Sequence, residues 1–99
     1  MARLPIRPGE ILADELAEIG VSPAELARQI AVPANRILEI LRGRRAITGD
    51  TALRLGHWFG TSPQFWLNLQ TAYELRRAAE LVGADIARLP RRAGAVSAA

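Results

Sequence analysis

Residues 22–45 read SPAELARQIAVPANRILEILRGRR, and this stretch decides the fold that the rest of the chain supports. It contains two short segments whose apolar residues repeat at helical spacing. Ser22 can cap the first segment, because its hydroxyl accepts a bond from a free backbone N–H, and Glu25 completes a capping box. Only Ala31 and Val32 separate the two segments, so the helices are too close in sequence to pack antiparallel and must cross steeply.

The second segment has one apolar side and one mixed side. Pro33 suits its first turn, and Gly43 stands where the end of a helix favours glycine. On a wheel of about 100° per residue, the inward side carries Ile37, Ile40 and Leu41. The outward side carries Asn35, Leu38, Glu39 and Arg42. Two helices joined by such a short turn predict a helix-turn-helix over about residues 22–43, whose second helix enters the DNA major groove.

The outward side of the second helix and the loop after it supply the candidate DNA-contacting side chains. Asn35 and Arg42 can read adenine and guanine edges. Glu39 can accept from a cytosine amine, or it can hold a neighbouring arginine in position. Arg44 and Arg45 follow the helix at once and place cations where the phosphate backbone is expected. The predicted DNA-binding residues are Ala34, Asn35, Arg36, Leu38, Glu39, Arg42, Arg44 and Arg45.

Positive charge is concentrated on the motif, although the chain's net charge is only +3. Residues 22–58 hold six arginines against three carboxylates, a distribution typical of nucleic-acid binders. Arg28 and Arg36 flank the motif and are open to two roles, phosphate contact or ion pairing with the glutamate of the same helix. In the N-terminal arm, Arg3 and Arg7 either reach a minor groove or belong to a frayed terminus.

Three further helices are predicted around the motif. Helix 1 covers residues 8–19 and has an acidic exterior, which either is simply solvated or docks a basic partner. Helix 4 runs from the N-cap Thr48 to Phe59, and helix 5, the longest, covers about residues 63–82. The side chains expected to face inward from these three helices are Ile11, Leu12, Leu16, Ile19, Ala52, Leu55, Trp58, Phe59, Phe65, Trp66, Leu69, Ala72, Tyr73 and either Leu75 or Arg76.

The composition limits the class of protein. With 99 residues, 49% of them hydrophobic, and no alternating strand pattern, we expect an all-α, five-helix domain over residues 1–83, followed by a flexible basic tail over residues 84–99. The absence of cysteine excludes a disulfide framework and a thiolate metal site, and a single histidine argues against any other metal site. No apolar run approaches the roughly 20 residues that cross a bilayer. No signal peptide is recognisable, and we therefore expect a cytoplasmic protein.

The motifs also resemble those of a known family. Residues 22–45 are similar to the helix-turn-helix of phage-repressor (Xre-type) regulators, and residues 5–82 as a whole resemble the HigA-type antitoxins of bacterial toxin–antitoxin modules. The resemblance is carried by PGEIL at 8–12, LA at 26–27, VP at 32–33, GxRAIT at 43–48, DTALRL at 50–55, FGTSPxFWLNLQ at 59–70 and YxLR at 73–76. The chain departs from the pattern at Ala31, where such turns usually carry glycine, and at Leu38, where a polar residue is common.

The resemblance implies a DNA-binding antitoxin that represses its own operon and neutralises an RNA-cleaving toxin of the HigB/RelE kind. A dimer is expected on other grounds. Four of the five aromatic residues, Trp58, Phe59, Phe65 and Trp66, lie across the junction of helices 4 and 5, which is more aromatic surface than one small domain usually hides and indicates an interface. A two-fold dimer through helix 5 would set two recognition helices about 34 Å apart and would require a palindromic operator.

Two other functions stay open. One is a stand-alone Xre-type regulator without a toxin. The other is an interaction module that has lost DNA binding, which Ala34 and Leu38 on the outward side would favour. We expect neither an enzyme nor a cofactor, since the chain has no Gly-rich phosphate loop and no Ser-His-Asp set with supporting context.

Overall fold

The computed structural model describes residues 6–94 and folds them into five α-helices, with no strand in that part of the chain. The helices are α1 (Pro8–Ile19), α2 (Pro23–Gln29), α3 (Ala34–Leu41), α4 (Gly49–Phe59) and α5 (Pro63–Ala87). The predicted all-α, five-helix fold is confirmed. Between residues 6 and 94, none of the helices is both long and apolar enough to cross a membrane.

The predicted helix starts are formed, although by different means. Ser22 Oγ accepts from the backbone N–H of Glu25 at 3.1 Å, and Ser62 Oγ accepts from that of Phe65 at 3.2 Å. Thr48 occupies the N-cap position of α4 with extended backbone, but its hydroxyl makes no capping hydrogen bond. The start of α4 therefore relies on backbone geometry rather than on the predicted side-chain cap.

The core lies where α1 to α4 meet the first half of α5. Its largest fully buried side chains are Leu12, Leu26, Ile37, Ile40, Ile47, Leu55 and Trp66. Burying one such aliphatic side chain stabilises the fold by about 1.5–3 kcal/mol relative to leaving it in water. Ile37 and Ile40 thus fix α3, the predicted recognition helix, by its inner side as predicted.

Some side chains predicted to lie in the core are exposed instead. Ile19 is 51% exposed because it lies in the last turn of α1, immediately before the left-handed Gly20 redirects the chain. Phe65 is 41% exposed and packs edge-on against Trp66, which takes the buried position. Ala72 is exposed, and so are both Leu75 and Arg76, because only the start of α5 packs on the core.

The backbones of α1 and the recognition helix approach each other very closely at Gly9. A Cβ atom added to Gly9 would lie 2.2 Å from the carbonyl oxygen of Ile40, a distance that no side chain tolerates. Glycine is therefore required at this crossing for steric reasons. The contact fixes the C-terminal half of the recognition helix against α1.

Helix α5 is longer than predicted. It continues through Gly83 to Ala87, so residues 84–87, which were assigned to a flexible tail, are helical. Glycine inside a helix costs only about 1 kcal/mol relative to alanine, and the good helix formers on both sides of Gly83 offset this. The C-terminal half of α5 projects from the core, and the molecule measures 53 × 25 × 21 Å. The predicted role of Arg3 falls outside the described residues, as does the end of the tail.

Candidate nucleic-acid interface

The recognition helix presents its polar side outward. Ala34 and Asn35 are exposed in its first turn, and Arg42 at its C-cap has a side chain that is 56% exposed. Leu38 and Glu39 are half-buried between them. Since Ile37 and Ile40 are at most 1% exposed, the helix cannot rotate these outward groups into the core without losing its anchors.

Most arginines around the motif are paired with a carboxylate. Arg28 is paired with Glu25, and Arg42 Nη1 lies 3.8 Å from Glu39 Oε1. Arg28 was open to phosphate contact or ion pairing, and Glu39 to base contact or holding an arginine. In the structure of the free chain, both residues form the ion pair. The hydrogen bonds from Arg28 hold the pKa of the Glu25 carboxyl below its usual value, so this pair stays ionised at neutral pH.

Arg36 does not pair with the glutamate of its own helix. Its Nη1 donates to Asp50 Oδ1 at 3.1 Å, across to the first turn of α4. The same Oδ1 accepts from Arg54 Nε at 2.8 Å. The bond from Arg54, aided by the charge of Arg36, keeps the pKa of Asp50 below its ordinary value. Arg36 is half-buried and held from the side, in contrast with Asn35 beside it.

Arg44 and Arg45 differ from the other motif arginines. Both are exposed, and the ion pairs found within residues 6–94 do not include them. They leave the C-terminus of the recognition helix through Gly43, whose φ is +73°. These two cations can therefore meet a phosphate without first breaking an intramolecular pair.

The turn between α2 and α3 contains a strained residue. Ala31 has φ +58°, and it is the one non-glycine residue of the described chain in the left-handed region. Alanine therefore adopts here the left-handed conformation for which such turns usually carry glycine. Arg54 Nη1 donates to the carbonyl oxygen of Ile30 at 2.8 Å, which satisfies a backbone group that the end of α2 leaves free.

Two positioning residues were missed by sequence reasoning. Arg54 holds the turn as just described, and its only signal was the helical i,i+4 spacing from Asp50. Gln70 is 8% exposed, and its Oε1 accepts from the backbone N–H of Ile47 at 2.9 Å. Helix α5 thereby sets the loop that carries Arg44 and Arg45. A polar residue interrupting the apolar stripe of helix 5 was the signal that could have identified it.

The capping box predicted for α2 is only half formed. The carboxylate of Glu25 accepts from Arg28 and from Gln29 Nε2 rather than reaching back to Ser22. Gln29 Oε1 in turn accepts from Trp58 Nε1 at 2.7 Å. The polar side of α2 is therefore tied to α4, which adds a second connection between the motif and the helix that follows it.

Arg7 lies at the C-terminal end of the recognition helix rather than in a free arm. Its side chain covers Gly43, where an added Cβ would come within 3.0 Å of Arg7 Cδ. Hydrogen bonds from Arg77 and Arg7 hold the pKa of the Tyr73 hydroxyl below its usual value. A shallow pocket brings Arg7 together with Arg44, Arg45 and Tyr73, so a third cation stands beside the two unpaired ones.

The carboxylates of α1 face solvent and do not form a metal site. Glu10, Asp14, Glu15 and Glu18 are all exposed. In residues 6–94, no group of three or more histidine, aspartate and glutamate side chains is arranged to hold a metal ion.

Comparison with known proteins adds to this geometry. No protein-family model matches the chain. Virulence-associated protein I of Dichelobacter nodosus is 53% identical over 74 residues, which are 74% of this chain and 68% of that protein. An addiction module antidote protein of a HigA family from Coxiella burnetii has 49% identity and a TM-score of 0.88, over 90% of this chain and 98% of that one. Pseudomonas aeruginosa antitoxin HigA, solved with the higBA promoter, has 47% identity and a TM-score of 0.85, over 90% and 98%.

Proposed function

Because the chain belongs to the HigA family of helix-turn-helix antitoxins, we propose that it is a sequence-specific DNA-binding antitoxin that represses its own operon. The observation that carries the proposal is the recognition helix itself. Its inner side is anchored by Ile37 and Ile40, its outer side exposes Asn35 and Arg42, and two unpaired arginines follow it. The P. aeruginosa relative solved with a promoter supports the same use of the motif.

Affinity and specificity come from different groups in this proposal. Arg44 and Arg45 contact phosphates, which supplies sequence-independent affinity that falls steeply as salt rises. Asn35 reads an adenine edge and Arg42 a guanine edge, each worth about 1–3 kcal/mol of discrimination. To reach a base, Arg42 exchanges its 3.8 Å contact with Glu39 for the guanine, which is a small loss for an exposed pair.

We further propose that two copies of the chain pair through α5. Beyond the core this helix carries apolar residues spaced alternately three and four apart, and they face solvent: Ala72, Leu75, Ala79, Val82 and Ile86. Such a seam is the pattern of a helix that packs on another helix. Pairing would set two recognition helices about 34 Å apart on a palindromic operator.

The toxin partner is proposed from family membership. The chain would neutralise an mRNA-cleaving toxin of the HigB/RelE type in the cytoplasm, as part of a type II toxin–antitoxin module. Such toxins are basic, and the exposed carboxylates of α1 give a surface of the opposite sign. Copurification with the product of the neighbouring gene tests this. If no small basic protein is encoded there and none copurifies, the chain is a stand-alone regulator.

DNA binding is tested by titrating the DNA upstream of the chain's own gene, and a random duplex of equal length, at several salt concentrations. We expect tight binding to the upstream DNA and weaker, more salt-sensitive binding to the random duplex. Equal affinity for both at physiological salt would contradict sequence-specific binding. It would favour a module that retains only protein interaction.

A further inference from the structure

Asp50 is the only carboxylate of the described motif region that engages two arginines from different helices. Its Oδ1 accepts from Arg36 Nη1 of the recognition helix at 3.1 Å and from Arg54 Nε of α4 at 2.8 Å. The side chains of the two arginines are 26% and 40% exposed, so both lie near the surface. One negative charge thus holds Arg36, which is part of the recognition helix, against Arg54 of α4.

The position of Arg36 shows what this pair controls. Arg36 follows Asn35 directly, on the flank between the outward side of the recognition helix and α4. Its Nε is buried and has no hydrogen-bond partner within the described chain, so Asp50 is what directs its guanidinium toward α4. Without that carboxylate, the long side chain is free to reach outward to the nearest phosphate.

Folding stability is a poor explanation for this arrangement. Asp50 is 55% exposed, and ion pairs between exposed side chains contribute little to stability because water and salt screen them. The effect on DNA affinity is larger, because every added phosphate contact releases a counterion. At about 0.1 M salt, one such contact raises sequence-independent affinity by roughly three- to eightfold.

We propose that Asp50 is a specificity-determining residue, which holds Arg36 away from phosphates and so keeps the affinity for random DNA low. Arg54 is not released with it, because its Nη1 also donates to the carbonyl oxygen of Ile30. The inference rests on the proposed DNA-binding function. Discrimination is a ratio of affinities, so withholding this cation from unspecific contacts raises the ratio even though Asp50 touches no base. Arg36 is then a positioned side chain rather than a primary DNA contact, which revises its place among the predicted DNA-binding residues.

Asp50→Asn tests the proposal because it removes the charge and keeps the size and an acceptor oxygen. The probes are a duplex that the wild-type chain enriches from a random library and a random-sequence duplex of equal length. We expect Asp50→Asn to bind the random duplex about three- to eightfold more tightly near 0.1 M salt. We expect the slope of log K against log salt to steepen by about 1. Affinity for the enriched duplex should not rise in parallel, so the ratio falls.

Asp85→Asn is the matched control. Asp85 pairs with Arg88 at the far end of α5, so this variant makes the same change in net charge away from the motif. If both variants raise random-duplex affinity equally, the effect is one of overall charge and the role of Asp50 is overturned. Asp50→Glu retains the charge and should keep the ratio within about twofold, whereas a loss as large as that of Asp50→Asn would also overturn it.

Two further outcomes are informative. Melting followed by circular dichroism shows whether Asp50→Asn is folded, and if it is not, Asp50→Ser, which keeps a polar group in the first turn, replaces it in the same titration. If the wild-type chain enriches no duplex at all, the DNA-binding function itself fails, and this inference fails with it. An enriched duplex with an unchanged ratio overturns the role of Asp50 alone.

Discussion

At the scale of single residues, Ala31 shows how the turn stores strain. A non-glycine residue in the left-handed region destabilises the folded state by about 1–2 kcal/mol, whereas glycine adopts this conformation freely. Part of the stability that glycine restores is lost again, because glycine makes the unfolded chain more flexible. We expect Ala31→Gly to stabilise the protein by about 0.5–1 kcal/mol in urea unfolding. Ala24→Gly, in the exposed first turn of α2, should destabilise it by at most about 1 kcal/mol. Equal destabilisation by both variants would disprove the strain.

The division between base reading and phosphate contact is also a question of single side chains. Asn35→Ala and Arg42→Ala should each weaken binding to the enriched duplex by about 1–3 kcal/mol and leave random-duplex binding nearly unchanged. Arg44→Ala and Arg45→Ala should weaken both and reduce the salt slope by about 1 each. Gel-shift titration measures all four variants. A parallel loss on both duplexes for Asn35→Ala would remove it from the base-reading group.

The sequence predicted those features of the site that depend on helical periodicity alone. Helical spacing alone is enough to turn Asn35 and Arg42 outward once Ile37 and Ile40 are taken as anchors. The partner of Arg36 could not be found in this way, because Asp50 lies 14 positions away and the pairing depends on how α3 and α4 cross. The hydrogen bond from Ile47 to Gln70 joins residues 23 positions apart and could not be predicted for the same reason.

At the scale of helices, the close crossing at Gly9 determines where the recognition helix sits. Gly9→Ala would force apart the backbones of α1 and α3, and overpacking of this kind costs about 1–3 kcal/mol. We expect that loss of stability in thermal or urea unfolding, together with weaker binding to the enriched duplex. Gly49→Ala is the control, since its added Cβ meets nothing within 4 Å and its stability should be almost unchanged. Equal stability of the two variants would contradict the role given to the crossing.

Helix ends were predictable where the residue after the helix needs a left-handed backbone conformation, which favours glycine. Gly20 and Gly60 follow α1 and α4 with φ of 71° and 76°, which other residues rarely adopt. The predicted end of helix 5 at about residue 82 falls just before Gly83, but this glycine remains inside α5 because nothing there requires the chain to turn. A glycine therefore predicts a helix end only in combination with a change of chain direction, which packing decides and local sequence does not.

At the scale of the whole molecule, the projecting half of α5 has no partner within the chain. Leu75 is 67% exposed and Ile86 57%, both on the apolar seam that we propose as the dimer contact. A single domain gains little from extending such a helix into water, because its apolar residues bury no surface there. Pairing with a second copy buries the seam and accounts for its three-and-four spacing.

Charge introduced into the seam should therefore separate the two copies. We expect Leu75→Glu and Ile86→Glu to sediment as monomers at concentrations where the wild type is dimeric. In a dimer, each variant would have to bury an unpaired carboxylate in the apolar contact between the two helices. Leu81→Glu is the matched control: Leu81 is 70% exposed but lies off the seam, so the dimer should persist. Each monomer should bind one half-site of the enriched duplex, with lower affinity than the dimer and without its preference for a palindrome. A monomeric wild type, or equal dissociation of all three variants, would rule out pairing through this seam.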